Sequence, residues 1–466
     1  MAEGRVLLVI PPGLAGTTPN REGAAGLGTV SQGEGGFIYP PHTVAAVAAA
    51  LVAGGRSVVV LDALAEGLPL ADKGCSPAVD RVLALCAKIR VDLVGVFVSW
   101  ATREADAAFL AALKRARDNG LAAPKAPTVA AFGAGVAHMS ESLLAADHAL
   151  EGEPELSMVA LASRVAEGVR LSWALSPHSL GQDGYDAEGL LTDLDALPFP
   201  AWDGVDHSRY PYLTVLGSRG CTGGCCWCPY VVAQGRRFRA CSAERVVDEL
   251  AHLVKHYAPP RIVLRDPVLA HDRGRVEALC TAIVRHRALA PGRNLLWECE
   301  SRPEHLDPAL LRQMNLAGCV GIKIGLETLE EGLLATLGRL QPGWDGERYR
   351  RHLARVVRAC QVTGIAPRLF ALTGLPGQTA AMVAEVNRFA AGLGVGDLAL
   401  QPLKRYPGHR LDEATERLGV PKLEVPGTSE VPGTLNGATP PPLIRAGQFL
   451  WRGWRTARRA MHRGES

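Results

Sequence analysis

Four cysteines stand within one short loop, Ser218-Arg-Gly-Cys221-Thr-Gly-Gly-Cys225-Cys-Trp-Cys228-Pro-Tyr230, and three of them, Cys221, Cys225 and Cys228, form a set. Their spacing is C-x3-C-x2-C, and thiolates are the ligands that iron–sulfur clusters take. The loop glycines let the backbone fold tightly around a bulky inorganic core and bring N–H groups close to its sulfurs. A four-iron cube held by three cysteines keeps one iron free of protein ligands. Such an open position lets a substrate or cofactor bind the metal directly, the same logic that separates catalytic from structural zinc sites. Two other readings stay open on spacing alone. A structural zinc site would need a fourth ligand from Cys226, Cys241 or a histidine, and an electron-transfer cluster would need a fourth cysteine. Cys226 could compete with its neighbours as a ligand or pack against the loop. The remaining cysteines, Cys75, Cys86, Cys241, Cys280, Cys299, Cys319 and Cys360, are scattered along apolar faces and read as small core residues.

The loop must be held by the strand before it. Strands are expected at 212–218, 261–265, 294–299, 319–325, 366–373 and 397–401, with helices at 243–256, 273–288, 307–316, 346–362 and 379–391 between them. Six β/α units in a row predict a partial (β/α)6 parallel barrel, with catalytic groups at the carboxyl ends of its strands. The first third also alternates, with apolar runs at Val6–Ile10, Ser57–Leu61, Asp92–Val98 and Thr128–Phe132 separated by helical patterns. That pattern predicts an α/β, doubly wound, Rossmann-like domain whose ligand lies against the loops after Ile10, Val98 and Phe132. The expected organisation is a first domain over 1–150, a connector over 151–210, the barrel over 211–410, and a Pro-rich linker with a basic tail over 411–466.

Composition narrows the classes further. The chain has 466 residues, 47% hydrophobic and 21% charged, which suits a globular protein with a sizeable core and excludes a mostly disordered one. The net charge is +3, of which Leu443–Ser466 supplies +5 through six Arg and one Glu, leaving 3 − 5 = −2 for the rest. A nucleic-acid binder would be basic over its body, so no nucleic acid is expected. No run of about 18 apolar residues marks a transmembrane helix. Val6–Ile10 reads as a buried strand instead of a signal peptide, which leads to an expected cytoplasmic location. The odd count of 11 cysteines then favours free thiols and metal ligands over disulfides. The tail around Phe449, Trp451 and Trp454 could rest on a membrane or an acidic partner. The favoured expectation is that it covers the barrel opening, since Gly447 and Gly453 weaken a helix there.

The cysteine loop resembles that of the radical S-adenosylmethionine enzymes, whose signature is C-x3-C-x-aromatic-C, with Trp227 in the aromatic position. Arg237–Leu250, Arg265-Asp-Pro-Val, Glu298-Cys-Glu-Ser-Arg302, Gly321-Ile-Lys-Ile-Gly-Leu-Glu327 and Leu372–Thr379 extend the resemblance along the barrel. It implies a [4Fe-4S] cluster on Cys221, Cys225 and Cys228, and S-adenosyl-L-methionine chelated by the open iron. The backbone near Trp227 would contact adenine, and Asp266, Glu300 and Glu327 would hold the amino and ribose groups, for which carboxylates are suitable acceptors. An electron donor such as flavodoxin or ferredoxin is implied as a partner. The sequence departs from the family in having no clear Gly-Gly-Glu after the second strand.

The front third is similar to the cobalamin-binding domain that precedes many radical S-adenosylmethionine domains. The matching pieces are Val6–Pro12, Tyr39–Val47, Gly55–Asp62, Phe132-Gly-Ala-Gly-Val-Ala-His138 and Glu151-Gly-Glu-Pro-Glu155. Ser99 and Thr102, with Gly133 and Gly135, are the expected cobalamin contacts. The D-x-H-x-x-G motif that ligates cobalt in another family is absent, so no histidine is expected beneath the cobalt, although His42 and His138 lie in loops. The combination resembles that of a cobalamin-dependent radical S-adenosylmethionine methyltransferase. Such an enzyme would methylate an unactivated carbon, or phosphorus, of a small molecule, using a 5′-deoxyadenosyl radical and methylcobalamin. The alternative is a cyclase or rearrangement enzyme with the same cofactors and no methyl transfer. Tyr230, Arg368, Gln401 and Tyr406 are expected to face the cavity.

Overall fold

A computed structural model of the chain describes residues 4–12, 17–22, 28–31, 38–70, 76–121, 126–289, 295–404, 406, 410, 411 and 413. The expected linker 421–442 and the basic tail 443–466 lie outside the described residues. By their contacts the residues form two compact units. One is drawn from within 1–223, 228–299 and 406–408, the other from within 224–227, 300–405 and 409–466.

The first unit opens with β1 (Arg5–Ile10), an antiparallel pair β2 (Thr17–Asn20) and β3 (Gly28–Ser31), and α1 (His42–Ala53). There follow β4 (Ser57–Asp62), α2 (Pro77–Ile89), β5 (Leu93–Phe97), α3 (Arg103–Ala116), β6 (Thr128–Phe132), the short α4 (Glu141–Leu144), β7 (His148–Leu150), α5 (Pro154–Ala166) and β8 (Ala174–Leu175). The sheet order is β4-β1-β5-β6-β7-β8, and every neighbouring pair is parallel. Alternation along β1 divides the core. Leu7 and Val9 pack with Val79 and Val82 of α2 and Phe109 and Leu113 of α3. Val6, Leu8 and Ile10 pack with Val44 and Val47 of α1 and Met158 and Leu161 of α5. With helices on both faces, β1 and β5 are buried almost throughout, as apolar runs in parallel sheets must be.

The same unit continues into β9 (Leu213–Val215), β10 (Ser218–Arg219), α6 (Pro229–Gln234), β11 (Arg239–Ala240), α7 (Ala243–His256), β12 (Ile262–Leu264) and α8 (Arg273–Arg285). β13 (Trp297–Ser301) follows. The second unit carries α9 (Pro308–Leu316), β14 (Cys319–Glu327), α10 (Glu331–Thr336), α11 (Gly346–Thr363), β15 (Ala366–Thr373), α12 (Ala380–Gly392) and β16 (Leu398–Pro402). The second sheet has the order β16-β15-β14-β13-β12-β9, so its six strands follow one another in chain order. This is the winding of a partial parallel barrel. Asp and Ser or Thr side chains cap α7, α8, α9, α11 and α12, which explains why those helices start where the sequence pattern places them.

Two elements depart from the sequence reading. The stretch after Pro12, where no strand is expected, contains the β2–β3 pair. Residues of the expected connector extend the first sheet through β8 and cover it with α5. Pro154, within that expected connector, occupies the first turn of α5, where its missing N–H costs nothing. Among the described residues no helix is long and apolar enough to cross a membrane.

Candidate active site

In the first unit, β10 and β11 pair antiparallel, with Arg219 opposite Arg239, and so close the neck of the loop that holds the thiols. Gly220 sits at φ 75°, and a Cβ there would lie 2.0 Å from the Arg237 carbonyl oxygen. Only glycine fits beside Cys221. The Cys221 N–H donates to Gly235 O at 3.3 Å, and the Gly223 N–H approaches Cys221 Sγ at 3.3 Å. Both neck arginines converge on two carboxylates at the start of α5. Arg239 donates to both oxygens of Glu153 at 2.7 and 2.9 Å, and Arg219 reaches Glu155 at 2.6 Å and Glu153 at 3.3 Å. Burial by itself would raise the Glu153 carboxyl, but Arg219 and Arg239 outweigh it and hold the group below its ordinary range.

Asp266 is fully buried at the end of β12. It accepts from the Gly217 N–H at 3.0 Å, the Ser218 hydroxyl at 2.6 Å and Arg275 at 3.2 Å. Its carboxylate therefore organises the chain just upstream of Cys221.

The predicted cobalamin contacts come together at the carboxyl ends of β5 and β6. Ser99 and Thr102 are buried, and Asp106 accepts the Ser99 N–H and the Thr102 hydroxyl, both at 2.9 Å. Gly133, at φ 112°, leaves only 2.7 Å between a would-be Cβ and Val98 O, and Gly135 presses as closely on Val98 and Ser99. These glycines therefore pack two strand-end loops against each other. Beside them Trp100 and Ala134 join Tyr230, Val232 and Ala233 of α6, together with Tyr406, in one apolar cluster. The helix launched by Cys228 thus meets the edge of the first sheet at the carboxyl ends of β5 and β6. Burial and the charge of Cys228 push the Tyr406 hydroxyl up to about 12. His42 begins α1, is buried against Trp202, and is driven down to about 3 by burial and the nearby Arg219 and Arg245. It is a neutral core imidazole. His138 lies in a single 3-10 turn.

In the second unit, Cys226 and Trp227 are buried with Leu333, Leu337, Leu375, Leu403 and Leu411. The Cys226 thiol points to Thr336 O at 3.9 Å, and its N–H donates to Leu337 O at 3.4 Å. Cys225 Sγ instead accepts from Arg302 at 3.8 Å. Glu300 pairs with Lys323 at 3.3 Å. Glu327 ends β14 with φ 62°, a left-handed backbone that a non-glycine residue rarely adopts. Burial raises its carboxyl to about 6 against the pull of Arg339 and Arg302. Arg368 pairs with Asp397, and Gln401 is half-buried on β16.

The donor set suits an iron–sulfur cluster. Cys221, Cys225 and Cys228 are all partly exposed, whereas Cys226 and Cys241 are buried. Burial pushes Cys241 up to about 12, away from the thiolate form that metals take. Among the described residues no three His, Cys, Asp or Glu side chains converge on the spacing of a single metal ion. Sequence reasoning missed Arg302 and Arg339 beside Cys225, and the glutamates at the neck. Their only signal was charge, with Arg302 following β13, Arg339 following α10 and Glu153 and Glu155 opening α5, and partners such as Arg219 and Glu155 are 64 residues apart.

A doubly wound sheet followed by a second sheet whose six strands run in chain order, with the thiol loop after the first of them, is a fold shared with solved radical S-adenosylmethionine enzymes that bind cobalamin. TsrM from Kitasatospora setae, a radical S-adenosylmethionine methyltransferase solved with cobalamin and a [4Fe-4S] cluster, matches with a TM-score of 0.65. It is 20% identical, over 89% of this chain and 78% of that one. OxsB, solved with aqua-cobalamin and S-adenosylmethionine, matches with a TM-score of 0.61 at 14% identity, over 90% of this chain and 55% of that one. Among curated proteins, an uncharacterized methyltransferase of Pyrococcus horikoshii is 24% identical over 277 residues, 57% of each chain. The tryptophan 2-C-methyltransferase of Streptomyces laurentii is 29% identical over 38% of this chain and 30% of its own. The cytidylyl-2-hydroxyethylphosphonate methyltransferase of Streptomyces wedmorensis is 26% identical over 31% and 29%. The chain thus spans little more than half of the first of these relatives and under a third of the other two. No family model matches the sequence.

Proposed function

We propose that the protein is a cobalamin-dependent radical S-adenosylmethionine methyltransferase acting on a carbon or phosphorus centre of a small molecule. When bound, the cluster supplies an electron to S-adenosylmethionine and the cobalamin carries the methyl group. Cys221, Cys225 and Cys228 hold the cluster, with the Gly223 N–H and Arg302 donating to two of the sulfurs. Trp227 anchors the loop through its buried ring, leaving its backbone to meet adenine. Glu300 and Glu327 accept from the ammonium and ribose hydroxyls, and Asp266 acts by holding Gly217 and Ser218 in place. Ser99, Thr102, Gly133 and Gly135 shape the cobalamin edge within residues 1–150, and residues 211–410 carry the cluster chemistry. A low-potential flavodoxin or ferredoxin delivers the electron.

The observation that carries this reading is the cluster of Trp100, Ala134, Tyr230 and Tyr406. It joins the edge where a doubly wound sheet binds its ligand to the helix that follows the last of the three cysteines. The names of the curated relatives, two of them carbon and phosphonate methyltransferases, support the choice of methyl transfer. The test is anaerobic reconstitution with iron, sulfide and cobalamin, followed by reductant and S-adenosylmethionine. Formation of 5′-deoxyadenosine together with S-adenosylhomocysteine is expected. Deoxyadenosine alone would turn the assignment towards cyclisation or rearrangement. Cys225→Ala should lose bound iron and both products, while Cys226→Ala should keep its iron, because that thiol is turned to Thr336 O.

A further inference from the structure

Cys225 is distinguished from a merely exposed loop thiol by what stands behind it. Arg302 donates through Nη1 to Cys225 Sγ at 3.8 Å, a separation suited to the large sulfur atom, and through Nη2 to the Arg339 carbonyl at 3.3 Å. Its remaining donors hold Glu304 in an ion pair. The fixed fork of a guanidinium allows all three contacts at once, which a lysine could not reproduce. Arg339 is 1% exposed and reaches Glu304 at 3.6 Å and Gly325 O at 2.7 Å. Tyr349 donates its hydroxyl proton to Leu326 O at 3.0 Å beside it. Two arginines and the carboxylates of Glu304 and Glu327 therefore form a charge array that reaches the proposed cluster ligand Cys225 through the Arg302 hydrogen bond.

We infer that Arg302 sets the reduction potential of the cluster through its hydrogen bond to Cys225 Sγ. The inference rests on the proposal that Cys225 is a cluster ligand. Reduction adds negative charge to the cluster and its sulfurs, and a cationic donor at one sulfur stabilises the reduced form. Cluster potentials respond to hydrogen bonds at sulfur and to local charge, and burial strengthens both effects. Glu304 opposes Arg302 by partly neutralising it. Arg302 is thus a residue that makes an intrinsically unfavourable electron transfer less so, while Glu304 limits the effect.

The test is a redox titration of the reconstituted full-length chain with dithionite, followed by the electron paramagnetic resonance signal of the reduced cluster and run without S-adenosylmethionine. Arg302→Gln should move the midpoint to a more negative potential, Arg302→Lys should recover part of the shift, and Glu304→Gln should move it the opposite way. A residue that merely supports the fold would lower iron content without producing shifts of opposite sign. If Arg302→Gln fails to load a cluster, the opposed shifts of Arg302→Lys and Glu304→Gln decide the question. Identical midpoints for the loaded variants and the wild type would overturn the inference. Full iron and sulfide in Cys225→Ala would instead overturn the ligand assignment beneath it, so the two failures are distinguishable.

Discussion

Asp106 shows how a single buried side chain couples the first unit to pH. It accepts the Ser99 N–H and Thr102 hydroxyl beneath the loop after β5, and burial raises its pKa from 3.8 to about 7. The folded state therefore binds this proton more tightly than the unfolded chain. Its contribution to stability is full below about pH 4 and declines as the pH rises towards 7. His42 has the opposite sign: its folded pKa of about 3 lies below 6.5, so its contribution is present above pH 6.5 and is lost on acidification. Comparing Asp106→Asn with the wild type isolates the first effect. Urea melts should show the variant gaining on the order of 2 kcal/mol relative to wild type between pH 5 and pH 8. Parallel pH profiles for the two proteins would rule this account out.

At the scale of an element, the cysteine loop is defined by its neck more than by its thiols. Gly220 has both a positive φ and a carbonyl oxygen 2.0 Å from where a Cβ would stand. Gly224, in contrast, would place a Cβ 3.8 Å from its nearest neighbour. Gly220→Ala should therefore cost roughly 2–4 kcal/mol through backbone strain and displacement of Arg237, and should lower cluster loading. Gly224→Ala should stay within about 1 kcal/mol of wild type. Thermal melts of both variants, with iron analysis, would check this, and equal losses in the two would contradict it. The two glycines look alike in sequence, because φ and the approach of a distant carbonyl are not local properties.

Across the first unit, one dipeptide ties its two sheets. Arg21 is completely buried and holds Asp62 at the end of β4 at 2.8 Å, and it donates to Tyr39 O at 2.7 Å. Its neighbour Glu22 accepts from Thr214 of β9 at 2.5 Å and from Arg265 after β12 at 2.7 Å. Removing one member of a buried ion pair leaves the other charge poorly compensated. Glu22→Gln should destabilise the unit by about 3–5 kcal/mol in denaturant unfolding, more than any exposed pair such as Arg351–Glu347 would. A loss below about 1 kcal/mol would mean that the tie is not an important support of this unit.

The amino-acid sequence by itself determined the spacing of the thiols and the order of most helices and strands. Three cysteines at C-x3-C-x2-C after a strand, apolar runs alternating with amphipathic helices, and caps such as Asp272, Asp307, Asp345 and Thr379 are local signals carried by neighbouring residues. The strands at 262–264, 319–327 and 366–373 fall where periodicity put them. Only the tertiary structure decided that Cys226 turns into an apolar pocket while Cys225 faces Arg302, that Asp266 is committed to Gly217, Ser218 and Arg275, and that Tyr230 and Tyr406 join Trp100. Most of those outcomes depend on groups tens to hundreds of residues apart. Burial and pairing of charge are settled by three-dimensional neighbours, and no period or spacing along the chain encodes them.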